Sequence, residues 1–281
     1  MTEIDMPSID FPHLFIFFIL YAFVGWICEE IYCSSLQRKI VKRGMLFGPI
    51  CPIYGFGALA ILYILYPWRQ TWARLFFASM VVTSILEFFT SWLLEKLFHA
   101  KWWDYSQHPF NLNGRVCLLN STLFGIGGLA LEHVMHPAAE KLVFLDALQP
   151  YVNHIAIALA FILAVDVGTT VHRLVDFAAT VNKFKAMGGK LGESVKESLE
   201  ELKSGEHGFG GIGKFSLRNA EKWFARFPSM TSVEHGDVLE SLKKRLSDYA
   251  EQQKILVENE KRALKEKTQN LKKKKTEQGR P

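Results

Sequence analysis

The sequence predicts an all-α integral membrane protein: about five transmembrane helices followed by a cytoplasmic helical tail. Three observations carry that prediction. The first is segregation of charge. Residues 1–170 hold 10 Lys/Arg and 12 Asp/Glu, whereas residues 171–281 hold 23 and 16, for a formal net charge of +5 over the whole chain. A single soluble domain would mix the two kinds of composition along its length. The second is a set of five apolar windows. Residues 11–28 and 48–66 contain no Asp, Glu, Lys or Arg, and residues 75–94, 116–134 and 152–170 contain one each: Glu87, Glu132 and Asp166. A helix needs about 20 apolar residues to cross the hydrocarbon core, and only helices satisfy their own backbone there. The third is the bias of basic residues. Arg38, Lys39, Lys42 and Arg43 follow the first window, Lys96, Lys101 and Arg115 follow the third, and the tail is basic throughout. The opposite side carries Arg69, Arg74 and Lys141. This count predicts a multi-pass protein of the cell membrane with its N-terminus outside and its tail in the cytoplasm.

In chain order, residues 1–10 are a polar lead. The lead carries Glu3, Asp5 and Asp10 and no basic residue, so the first window is expected to stay as an anchor and not to act as a signal peptide. Residues 11–170 form the membrane domain. Residues 171–187 keep apolar side chains at helical spacing, which predicts an extension of the fifth helix at the inner interface. Residues 188–213 contain eight of the 20 glycines and read as a flexible linker. Residues 214–281 form the basic tail. Gly208, Gly213 and Lys214 mimic a phosphate loop, but Phe215 stands where Ser or Thr is required and no strand precedes them. No nucleotide site is expected there. From Asp237 onward, Leu239, Leu242, Leu246, Tyr249 and Leu256 follow spacing that fits either a short coiled coil or a solvated helix with an apolar stripe. The final lysines read as solvated chain or as a contact for anionic lipid.

The four cysteines, Cys28, Cys33, Cys51 and Cys117, all fall near the predicted cytoplasmic side, where thiols stay reduced. Their spacing does not suit zinc, and His133 and His136 read as interfacial polar residues ending a helix at Pro137. No metal, no cofactor and no nucleic-acid partner is expected.

Polar residues nevertheless gather at one membrane face. Trp26, Glu29 and Tyr32 share one side of the first helix at i, i+3 and i+6. Glu29 and Glu30 also suit a simple membrane boundary. In residues 43–57, Gly44, Gly48, Pro49, Pro52, Gly55 and Gly57 suggest either an ordinary loop end or a broken, re-entrant start to the second helix, which survives at depth only when covered by protein or lining a cavity. Glu87 lies deep in the third window, where a charge costs roughly 3 kcal/mol or more, so it is expected to face protein. Thr90 and Ser91 lie within its reach, and Glu95 shares its broad face. Residues 101–115, KWWDYSQHPFNLNGR, begin with aromatics that suit an interfacial belt: Trp102, Trp103 and Tyr105. A belt does not account for Asp104, Asn111, Asn113 and Arg115. Asn113-Gly114 should close a tight turn. Arg115 then needs an acceptor, and Glu29, Glu95 and Asp104 are the candidates on its side. One aromatic-rimmed cytoplasmic pocket is the resulting expectation.

The patterns GWxxExxY, RGxLxGPxxPIYGxG, ExxxSxxxExxF and WWDYSxxxxNxxGR resemble a bacterial family described as putative ABC-transporter permeases, type IV. The tail segment ARFPSMTS followed by LESLKKR is similar to that family's ending. The residues that carry the resemblance are Glu29, Tyr32, Arg43, Gly48, Pro49, Pro52, Gly55, Glu87, Glu95, Trp103, Asp104, Tyr105, Asn113, Gly114 and Arg115. Phe124 departs from it, standing where the family often has Trp. The resemblance implies a permease subunit that works with a separate ATPase subunit, and with so few spans a homodimer. A membrane-embedded enzyme or lipid-binding protein using Glu29, Glu95, Asp104 and Arg115 is the alternative. No Ser/His, Cys/His or metal arrangement stands out, which leans away from an enzyme. A scaffold that recruits a partner through its tail is the third reading.

Overall fold

The computed structural model describes residues 9–37, 44–98, 101–186, 223, 224, 226, 227, 230, 240, 243 and 244. Arg43, the glycine-rich linker, the phosphate-loop mimic and most of the tail helix lie outside the described residues. The chain divides into two units, Met1–Glu234 and His235–Pro281. Of the second, only Glu240, Lys243 and Lys244 are described, each helical.

The first unit is mostly helical. Its helices are α1 (Phe11–Gln37), α2 (Pro52–Ile64), α3 (Trp72–Phe98), α4 (Leu118–Ala130), α5 (His136–Val143) and α6 (Val152–Ala186). A two-stranded ribbon, β1 (Asn111–Leu112) with β2 (Val116–Cys117), sits between α3 and α4. A π turn, Leu131–Met135, joins α4 to α5 without a break in the helical backbone.

Among the described residues, three segments are long and apolar enough to cross a membrane: Phe11–Ser35, Trp72–Phe98 and Gln149–Phe177. Their outward faces are apolar as well: Phe77, Ile85, Ile157 and Phe161 are all exposed. Exposed apolar faces of that size call for hydrocarbon, not water, as their solvent. The second apolar window contains only α2, a helix of 13 residues and about 20 Å. By length alone α2 does not cross.

The starting points of α2 and α4 organise the fold. The Cys51 amide donates to the Ala22 carbonyl at 3.0 Å, so α2 begins beside the middle of α1 and runs back antiparallel to it. Ser84 and Ser121 share a hydrogen bond at 2.6 Å, so α4 begins beside the middle of α3 and runs antiparallel to it. Small residues allow both pairs their close approach. A Cβ on Gly55 would lie 2.7 Å from the Phe18 carbonyl oxygen, and one on Gly125 would lie 2.7 Å from the Phe76 ring. The halves of α1 and α3 beyond those starting points are matched by the irregular segments 44–51 and 101–117.

An apolar core fills the opposite end, with Phe17, Tyr21, Ile61, Leu65, Leu75, Leu131 and Val143 in one cluster. Polar contacts close that end. Tyr21 and His136 share a hydrogen bond at 2.6 Å, His13 stacks on Phe144 and reaches Gln149, and His133 stacks on Trp72. Each of these histidines therefore has a structural partner.

The close helix approach gives a direct test. Gly55→Ala should lower the thermal midpoint in detergent by the equivalent of about 1–3 kcal/mol, because a backbone oxygen cannot move aside cheaply. Gly127→Ala, which meets nothing within 4 Å, should leave the midpoint unchanged.

Candidate functional site

The two irregular segments bring polar side chains to the level where α2 and α4 begin. Tyr54 is the third residue of α2, and its hydroxyl donates to Glu29 Oε2 at 2.7 Å. Asn120 is the third residue of α4 and lies near Glu87 without a well-formed hydrogen bond to it. An extended cysteine immediately precedes each helix, Cys51 before α2 and Cys117 before α4. The same arrangement thus occurs twice: a long helix bearing a carboxylate, an irregular return, a cysteine, then a half-length helix whose third residue addresses that carboxylate.

Tyr105, from the segment after α3, links the two copies. Its hydroxyl donates to Glu87 Oε1 at 3.4 Å, and Glu29 is close enough to act electrostatically on both Glu87 and Tyr105. Burial, then Glu87 and Glu29, hold the Tyr105 hydroxyl well above its usual pKa, so it remains a donor. Glu87 is only 5% exposed, and its Oε2 has no well-formed hydrogen bond among the described residues. Glu29, Tyr54, Glu87, Tyr105 and Asn120 therefore make a part-buried cluster around the buried Glu87, with two carboxylates and spare acceptor capacity on Glu87. Such a cluster can hold a proton, a cation or the donor groups of a polar solute.

A second polar layer lies toward the C-terminal end of α3. Arg115 pairs with Glu95 at 2.7 Å, donates to Ser91 at 3.3 Å and lies over the Phe88 ring. Of the three acceptors the sequence offers Arg115, the structure uses Glu95. Ser91 serves Arg115 here. Glu29 is occupied by Tyr54. Asp104 is turned the other way: its Oδ1 accepts from the amide and hydroxyl of Ser106. A Cβ on Gly114 would collide with Asp104 Oδ1. Asn113 and Gly114 have φ of 53° and 67°, and Asn111 accepts from the Gly114 amide at 3.0 Å, which makes the expected tight turn. Trp103 donates to the Arg115 carbonyl at 2.9 Å. Tyr32 is exposed, although Glu29 is close enough to act on it electrostatically.

The segment 44–51 is held by side chains from elsewhere. The Phe47 and Gly48 amides donate to the two oxygens of Asp166 at 2.9 and 2.8 Å, and a Cβ on Gly48 would lie 2.7 Å from that carboxylate. Pro49 and Pro52 cannot donate, which lowers the number of amides needing partners. Sequence reasoning missed Tyr54, Asn120 and Asp166. Only Asp166 carried a signal, as the lone charge in its window. Among the described residues no group of three or more His, Cys, Asp or Glu is placed to hold a metal ion.

Two outcomes follow for the Arg115 layer. Arg115→Met or Glu95→Gln alone should cost about 3–5 kcal/mol of stability in a detergent melt, because each leaves a buried partner unpaired, and the double variant should recover much of that loss. Asp104→Asn should be nearly neutral in the same melt, because an amide oxygen can accept the Ser106 bonds.

A family model described as "Putative ABC-transporter type IV" matches residues 16–171, which spans α1 to the middle of α6. No curated protein and no solved structure matches the chain.

Proposed function

The chain belongs to the putative ABC-transporter type IV family, and from that premise we propose that it is the membrane subunit of an ABC-type transporter in the cell membrane. In this reading it crosses five times: α1, α2 with its lead-in segment, α3, α4 continued into α5, and α6. The N-terminus lies outside and the tail in the cytoplasm, following the basic residues. A separate ATPase subunit supplies the nucleotide chemistry and docks on the basic connections that follow α1 and α3. A homodimer completes the path.

One observation carries the proposal. Two half-length helices begin beside the middles of two long ones, and their first turns converge on Glu29 and Glu87. Broken helices in corresponding positions of two halves mark the binding region in many transporters, because non-helical backbone at membrane depth is tolerated only where protein covers it or a path runs past it. We place the polar pocket at this cluster, with Glu29, Glu87, Tyr54 and Tyr105 lining it and Arg115, Glu95, Trp103 and Asn113 forming its roof. The alternative of a lipid-binding or enzymatic site draws less support from the geometry. Arg115, its cation for a phosphate, is already paired with Glu95 and Ser91, and Asp104 serves a turn.

Affinity purification of the tagged chain from native membranes, with mass spectrometry, tests the assembly. A stoichiometric ATPase subunit is the expected companion. Recovery of the protein with lipid alone would remove the main support for a permease. In the purified complex, Glu29→Gln or Glu87→Gln should lower stimulated ATP hydrolysis by on the order of tenfold while leaving the subunits assembled.

A further inference from the structure

A piece of the tail is built into the membrane domain. Trp223 is 1% exposed, Met230 3%, and Phe224 and Phe227 are buried with them. Trp102 packs edge-on against both Trp223 and Phe227, with ring centroids 5.2 and 4.9 Å away, and Phe224 meets Phe177 of α6. Arg226 lies between these aromatics. Its Nη1 donates to the carbonyls of Leu46 at 2.9 Å and Gly44 at 3.3 Å. Its guanidinium also lies over the Phe47 ring at 4.6 Å, and Arg173 of α6 lies over the same ring at 4.0 Å. Burial, and to a lesser degree Arg173, lowers the Arg226 pKa, while Asp166 and Glu30 are close enough to favour its charge.

Segment 44–51 forms no helix or strand, so few of its backbone groups find partners within it. Asp166 takes two of its amides and Arg226 takes two of its carbonyls. The segment leads directly into α2, whose third residue, Tyr54, bonds Glu29. We propose that Arg226, docked by Trp223, Phe224 and Phe227, is a positioning residue that clamps segment 44–51 and so fixes the start of α2 against Glu29. The tail thereby completes the membrane domain instead of merely following it. The clamp rests on contacts alone. Only its importance for transport depends on the reading of the polar cluster as a site.

Cys51 ends the clamped segment, and Cys117, which is buried, ends the equivalent segment before α4. The labelling rates of both thiols by N-ethylmaleimide, read by peptide mass spectrometry on the full chain in mild detergent, therefore separate local release from unfolding. Losing a pair of charge-assisted hydrogen bonds should raise local opening, and hence the Cys51 rate in Arg226→Ala, by roughly tenfold or more. The Cys117 rate should not change, and Arg226→Lys, which keeps a charged donor, should restore most of the protection. Trp223→Ala should act in the same direction as Arg226→Ala. An unchanged Cys51 rate in Arg226→Ala would overturn the clamp. So would a parallel rise of Cys51 and Cys117 in both Arg226→Ala and Trp223→Ala.

Discussion

The structure depends on one constraint: backbone amides and carbonyls within an apolar medium must be paired. Helices meet it internally, so α1, α3 and α6 need nothing from their surroundings. The segments before α2 and α4 are not helical and meet it in two ways: segment 44–51 through partners from distant parts of the chain, segment 101–117 largely through its own residues. Asp166 and Arg226 serve segment 44–51, and the ribbon of β1 with β2, the Asn111 side chain and the Trp103 indole serve segment 101–117. Both segments carry the glycines that let other groups come close.

That constraint also explains why the polar residues cluster where they do. A half-length helix that begins beside the middle of its neighbour exposes its first-turn amides at depth, and its first side chains are brought to the same level. Tyr54 and Asn120 occupy equivalent positions there, facing Glu29 and Glu87. Tyr105 ties the two halves together. The cluster is a consequence of two interrupted helices meeting, and it would not arise in a bundle of five uninterrupted spans.

The Arg115 layer illustrates how burial restricts chemistry. A guanidinium already held by Glu95, Ser91 and the face of Phe88 has its donors committed to structure. Glu87 below it is less fully used, since one of its oxygens has no well-formed bond among the described residues. Function is therefore argued from the carboxylate cluster and not from the arginine, the most conspicuous charge in the sequence motif.

The sequence by itself determined the class of the protein. Apolar windows, charge segregation and the run of motifs identify a helical membrane protein of this family, because hydrophobicity and residue identity are local properties that survive in one dimension. The tight turn at Asn113-Gly114 was legible for the same reason, since positive φ is a property of single residues. Only the tertiary structure decided which side chains meet. It gave Arg115 to Glu95 and not to Glu29 or Asp104, made Tyr54 a partner of Glu29 and brought Asn120 near Glu87, and set Asp166 and Arg226 against a backbone segment more than a hundred residues away in sequence. Those choices follow from where two half-helices begin, and that level is set by packing between segments, which no local pattern records.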